Sequence, residues 1–242
     1  MKIKVISLSS SIRHRESVRR QLLSAGASFE FCNAITARDA LRHIHHYDEQ
    51  EFLLNCGRPA AEKEIACYAS HLALWQQCAQ GDGPYLILED DAELDESFLA
   101  GLLVVASRIQ EHGLICVAPP QLDDSLALED FGHFEIRYCR RASRVALAYA
   151  ISPTAAARLA RAGKVVEEPV GSYMQRFWRH GQPVYSMCPP IVRLSPAAKE
   201  PSLGGHGRGK RNFSTSLKRA VRNCQDAIAR VRFNYFVSHG SI

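Results

Sequence analysis

The feature that most limits what this chain can fold into is a short apolar run, Tyr85-Leu86-Ile87-Leu88, that stops at three consecutive carboxylates, Glu89-Asp90-Asp91. Pro84 blocks its start, and Leu86 to Leu88 contain no polar alternate position. The run therefore predicts a strand buried on both faces, as in a parallel α/β sheet. Three acidic side chains at the end of such a strand repel one another, and packing gives no reason to choose them. A hard divalent cation with a bound phosphate relieves that repulsion. Open α/β sheets bind ligands beyond the carboxyl ends of their strands, where this triplet falls. A solvated strand exit, with Asp91 or Asp95 capping the next helix, is the competing explanation.

The neighbouring segments support an α/β chain. Ile3 to Leu8 predict a first strand, Arg13 to Ala25 a helix with Val18, Leu22 and Leu23 at helical spacing, and Phe29 and Phe31 a second strand. Gly26 suits the position just past the helix end. Arg38 to Asn55 is polar and predicts helix in pieces. Glu62 to Ala79 is the clearest helix, with Ile65, Tyr68, Leu72 and Trp75 on one stripe and Cys67, His71, Leu74 and Cys78 on the next, so it packs deeply. Further on, Asp95 to Glu111 predict a helix, Leu114 to Ala118 a strand, Gln121 to Gly132 an acidic loop, and Ile136 to Tyr138 and Val145 to Ile151 strands. Ser152-Pro153 opens a helix. Gly171 to His180 predict one short helix, Val184 to Met187 a short strand, and Ser216 to Val231 a last helix.

A chain of 242 residues, 46% hydrophobic, can bury one substantial core. Its net charge of +5 is unevenly spread. Arg208, Lys210, Arg211, Lys218, Arg219, Arg222, Arg230 and Arg232 crowd the end of the chain, where Asp226 is the one acid after Gly205. Residues 1–200 therefore read as the folded domain and 201–242 as a glycine-rich linker with a basic amphipathic tail. Such a tail suits an anionic membrane surface. No aromatic RNA-binding motif accompanies it, so nucleic acid is not an expected partner. The eight cysteines show no CxxC pair, which argues against a structural zinc site and a disulfide framework. With no signal-peptide core and no run of ~18 apolar residues, the expected location is cytoplasmic, with peripheral attachment to the inner face of the inner membrane through the tail.

Three blocks, taken in order, resemble glycosyltransferase family 25, which includes bacterial lipooligosaccharide galactosyltransferases. They are Val5-Ile6-Ser7-Leu8 followed by Arg13 and Arg15, Glu62-Lys63-Glu64-Ile65-Ala66-Cys67-Tyr68-Ala69-Ser70-His71-Leu72-Ala73-Leu74-Trp75, and Leu88-Glu89-Asp90-Asp91. Weaker likeness continues through Ala148 to Ser152, Glu168-Pro169-Val170 and Gly181 to Val184. The resemblance implies a GT-A-like, Rossmann-type mixed sheet flanked by helices, a UDP-sugar donor (typically UDP-galactose), Mn²⁺ or Mg²⁺, and a lipid-linked oligosaccharide acceptor of lipopolysaccharide or lipooligosaccharide type. It also implies inverting transfer of a hexose, with Asp91 and Asp90 as metal ligands and Leu8, Ser9, Arg13, Arg15, Ser70, His71, Glu89 and Asp90 around the substrate.

Chemistry agrees with that class, because a metal held at a strand end clamps a departing diphosphate. An arginine such as Arg15 can fork onto phosphate. Trp75 reads as core, and His71 either orders the donor site or is a hydrogen-bonded core residue. Inverting transfer also needs a base. The family pattern places an aspartate after Pro-Val, where this chain has Gly171. Glu168, with Glu167 beside it, is the nearest substitute, and both also read as ordinary loop acids. The departure leaves a second reading, a catalytically impaired relative that binds a sugar nucleotide or glycan. Asp123 and Asp124 read as solvated loop residues. Gly204 to Lys210 has the spacing of a phosphate-binding loop, but Arg211 replaces the required Ser or Thr. His43, His45 and His46 lack the companions of a zinc site.

Overall fold

A computed structural model of the chain describes residues 1–119, 124–144, 146–196 and 213–239. Asp123, the glycine-rich segment 204–210 and Arg211 lie outside the described residues, as does Val145. The chain opens with β1 (Lys2–Ser7), α1 (Ile12–Ser24) and β2 (Phe29–Asn33), the expected strand-helix-strand unit. Gly26 takes φ 67° just past the end of α1, a left-handed conformation that glycine adopts without strain. The polar stretch that follows holds a 3-10 turn at Ala40–Arg42, β3 (His46–Tyr47) and α2 (Glu49–Cys56). Next come α3 (Glu62–Ala79), β4 (Tyr85–Glu89), β5 (Ala92–Leu94), α4 (Phe98–His112), β6 (Leu114–Cys116), β7 (Ser125–Asp130), β8 (Glu135–Cys139) and β9 (Ala148–Ile151). The rest is α5 (Pro153–Ala162), β10 (Val165–Val166), α6 (Val170–Gln175), α7 (Phe177–His180), β11 (Tyr185–Cys188), β12 (Val192–Leu194) and α8 (Phe213–Ser238).

Eight strands form one mixed sheet in the order β2-β1-β4-β9-β6-β11-β8-β7. β1 pairs in parallel with both β2 and β4, and β9 runs antiparallel between β4 and β6. This is the mixed, helix-flanked sheet of a GT-A-like Rossmann-type fold. Alternation along the central strands divides the core in two. Tyr85 and Ile87 of β4, with Tyr149 and Ile151 of β9, face α3, α5 and α7. Leu86 and Leu88, with Ala148 and Ala150, face α1 and α4. The expected burial of both faces follows, since Leu86, Ile87 and Leu88 are fully buried.

Several boundaries differ from the sequence expectation. The segment read as an acidic loop contains β7, an edge strand paired with β8 through an irregularity between Ala127 and Glu129. Its leucines are exposed on an edge strand, so local hydrophobicity carries little signal even though its partner β8 is the next strand in the chain. α4 starts at Phe98, because the Asp95 carboxylate turns to accept hydrogen bonds from Ser97 N at 3.1 Å and Ser97 Oγ at 2.7 Å. The expected single helix over 171–180 is two helices, broken at Arg176, whose ψ of 56° leaves the helical region. Ser152 caps α5 as expected, accepting from Ala155 N, with Pro153 at the first turn.

α8 packs on α2 and α7. Phe233 meets Phe177 with ring centroids 5.2 Å apart, and Trp178 donates to Asp226 at 3.2 Å. On the opposite side Leu217, Val221, Cys224, Ile228, Val231 and Tyr235 are exposed. Among the described residues no helix is long and apolar enough to cross a membrane.

Candidate functional site

Beyond the carboxyl ends of β1, β2 and β4 lies a cleft of ≈ 490 Å³. The loop after β1 (Leu8, Ser10, Ser11), the loop after β2 (residues 34–37), one side of α3 (Lys63, Ala66, Cys67, Ser70) and the triplet Glu89, Asp90 and Asp91 line it. The parallel pairing of β1 with β4 sets Ile6 beside Glu89, so the two strand ends deliver their loops to the same rim. Ser70 fastens the second wall. Its hydroxyl donates to Ala66 O and accepts from Ile35 N, each at 2.8 Å, which ties the loop after β2 to α3. α1 begins at this rim with Ser11 as its cap residue, and among the described residues no side-chain cap hydrogen bond is made there.

The three acids have different surroundings, and strand alternation is the reason. Glu89 follows Tyr85 and Ile87 onto the α3 face. There His71 Nε2 lies 3.2 Å from its Oε1 and Cys67 Sγ donates to the same oxygen at 3.7 Å. His71 is fully buried and its Nδ1 is 2.8 Å from the Tyr149 hydroxyl, which also accepts from Trp75 Nε1 at 2.8 Å. The Tyr149 oxygen takes the indole proton and gives its own proton to Nδ1, which assigns the remaining imidazole proton to Nε2, donated to Glu89. Burial alone lifts the Glu89 carboxyl, but the hydrogen bonds from His71 and Cys67 outweigh it and hold the group below its ordinary value.

Asp90 turns toward β1, where Ser7 Oγ donates to its Oδ2 at 2.5 Å. Arg15 braces that contact, donating to Ser7 Oγ at 3.1 Å, to Ser7 O at 2.9 Å and to Asn33 Oδ1 at 2.6 Å, with its guanidinium over Phe31. Asp91 is the unsatisfied member. Its Oδ1 is buried with no hydrogen-bond partner among the described residues. Burial, and then the charges of Glu89 and Asp90, push its carboxyl up to about 6. A buried carboxylate oxygen without a donor, next to two more acids, is the arrangement a hard cation would satisfy. The residues present therefore fit a divalent ion held by Asp91 and Asp90.

Of the residues singled out from sequence, Leu8, Ser70, Glu89, Asp90 and Asp91 line the cleft, and His71 lies directly beneath Glu89. Ser9 is exposed in the loop between lining residues, and Arg13 is exposed on α1. Neither they nor Arg15 line the cleft. Glu168 lies elsewhere too. It is 2% exposed and contacts Arg176 at 3.3 Å and Arg179 at 3.5 Å. Burial outweighs these rather long contacts and pushes its carboxyl up to about 7. It is thus no ordinary loop acid. Sequence reasoning overlooked Ser7, Lys63 and Cys67. All three sit inside the family-like blocks, and Cys67 also blended into an apolar stripe. His43, His45 and His46 are all exposed.

Comparison with known proteins bears on the same residues. The chain is 35% identical over 95 residues to the lipooligosaccharide biosynthesis protein lic2B of Haemophilus influenzae, a match covering 38% of this chain and 34% of that protein. A sequence profile of glycosyltransferase family 25, described as an LPS biosynthesis protein family, matches residues 1–174. That span includes β1, α3 and the β4 carboxylates, and on it the chain belongs to glycosyltransferase family 25.

Proposed function

We propose that this chain transfers a hexose, galactose in the first instance, from a UDP-sugar to an oligosaccharide acceptor of lipopolysaccharide or lipooligosaccharide type. The observation that carries the reading is Asp91, a half-buried carboxylate in a cleft at the strand ends whose buried Oδ1 has no hydrogen-bond partner among the described residues. Asp91 and Asp90 would hold Mn²⁺ or Mg²⁺, and the ion would supply positive charge against the departing diphosphate. The chain's own residues do the rest. The N-terminus of α1 and the Lys63 ammonium, both at the rim, favour an anionic ligand. Ser7, braced by Arg15, holds Asp90 in place. The buried series Trp75, Tyr149 and His71 fixes Glu89.

Transfer with inversion requires a base on the acceptor side. Glu168, which the sequence offered, is engaged with two arginines away from the cleft, so its part in this reading is to order α6 and α7. The acceptor is taken to be membrane-borne, with the exposed apolar row of α8 and its flanking Lys218 and Arg232 resting on anionic lipid.

The test is a screen of common UDP-sugars with and without Mn²⁺, read as UDP released. Slow metal-dependent release from one donor is expected even without acceptor. UDP binding with no release from any donor would instead favour a sugar-nucleotide-binding relative without turnover, as Gly171 suggests.

A further inference from the structure

The cleft wall holds a group of metal-binding side chains separate from the Asp90–Asp91 pair. Cys67 and His71 are one helical turn apart on α3, the spacing that sets two ligands on one helix face. Glu89 reaches them from the end of β4. Cys67 Sγ, an imidazole nitrogen of His71 and a Glu89 carboxylate oxygen lie within 4.8 Å of one another. Tyr149, bonded to His71 Nδ1, orients the ring as an outer partner of a metal-bound histidine does. Cys67 and Glu89 line the cleft, whereas His71 is wholly buried behind them, so a fourth ligand can come only from the cleft.

We propose that Cys67, His71 and Glu89 form a site for a borderline-soft divalent ion of the Zn²⁺ class, with its fourth position open to the cleft. The donor set makes the choice. Thiolate and imidazole select Zn²⁺ over Mn²⁺ or Mg²⁺, which prefer oxygen ligands. Three protein ligands and one open position form the pattern of a reactive or exchangeable zinc site, not of a closed structural one. On binding, the Cys67 thiol proton leaves to solvent. The His71 proton moves from Nε2 to Nδ1, so the ring stays neutral and the ion takes the vacated nitrogen. The Tyr149 hydroxyl rotates its own proton away from Nδ1 and presents a lone pair to the new Nδ1–H, keeping the bond from Trp75 on the other. An ion here draws Glu89 toward α3 and places a second positive centre on the wall that faces Asp91. The proposal does not depend on the glycosyl-transfer reading, because it concerns the apo chain and a metal alone.

The test uses Co²⁺ as a spectroscopic substitute in the full-length, metal-free protein. One equivalent should give a thiolate-to-cobalt charge-transfer band that Zn²⁺ abolishes by displacement. Cys67→Ala should lose the band while keeping its far-UV circular dichroism, and Asp91→Asn should keep the band. Absence of a band in the wild type, or a band unchanged in Cys67→Ala, overturns the proposal. So does a band lost in Asp91→Asn, which would make Asp91 a required ligand of the thiolate-bound ion in place of the open position. Zinc-edge X-ray absorption of the wild type gives a reading that needs no variant. A shell containing one sulfur is expected, and a shell of oxygen and nitrogen alone contradicts the site.

Discussion

At the scale of single residues, Asp91 combines a cost to the empty fold with a use in the filled one. Its carboxyl is raised from 3.8 to about 6 by burial and by Glu89 and Asp90. A raised folded-state value means that the associated stability is present below the unfolded value and is lost as pH rises through the folded one. Asp91→Asn removes that loss. Without metal, the variant should be more stable than the wild type at pH 8 by on the order of 1–3 kcal/mol, with little difference near pH 4. The same substitution should abolish most Mn²⁺-dependent UDP binding, since the neutral amide is a poor ligand for a hard ion. Paired thermal melts and calorimetric titrations check both halves. Equal UDP and Mn²⁺ affinity in the variant would remove Asp91 from the site. Trp75 presents the opposite case. It is fully buried, and its indole N–H goes to Tyr149, so packing accounts for it.

At the scale of elements, α8 has two working faces. Asp226 and Phe233 dock it, while Leu217, Val221, Cys224, Ile228, Val231 and Tyr235 form an exposed row in alternating steps of four and three residues. The Ile228→Asp and Val231→Asp double variant should bind vesicles containing anionic lipid at least about tenfold more weakly, because full burial of one such side chain is worth about 1.5–3 kcal/mol. Co-sedimentation measures it. Unchanged vesicle binding, together with a wild-type dimer that the substitutions dissociate, would assign the row to a second copy of the chain. A basic amphipathic tail was legible in the sequence, but the separation of its exposed row from its docked face was not. That depends on Phe177 and Trp178, which reach α8 from a distant part of the chain. The same limit explains Glu168. Glu-Glu-Pro reads as a loop, and its burial comes from Arg176 and Arg179 on later elements. By contrast, β4 and α3 were legible because each carries its own periodicity, and the strand-end acids needed no partner to be noticed.

At the scale of the whole molecule, two buried groups and the half-buried Asp91 compete over the stability of the metal-free chain in mildly acidic solution. Asp91 and Glu168 are raised, to about 6 and about 7. Both withdraw stability as pH rises through those values. Burial lowers His180 from 6.5 to about 4, so it withdraws stability in the other direction, as pH falls below its unfolded value. Two groups against one give a net expectation that the melting temperature of the apo protein declines from about pH 5 to about pH 7. A melt series that rises over this interval would show that His180 prevails. No local segment of sequence contains this balance, because each of the three environments is assembled from several elements.

The two-residue rhythm of β4 has a consequence for how this protein can vary. Odd-numbered side chains face α3 and even-numbered ones face α1 and α4, and the rhythm runs unbroken from the core to Glu89. A single inserted or deleted residue within the strand would act like a frameshift, turning over the apolar layers and exchanging the stations of neighbouring acids at the same stroke. Changes of length must therefore gather in the turn at Gly81 to Pro84, ahead of the strand, where a looser joint absorbs them before the rhythm begins.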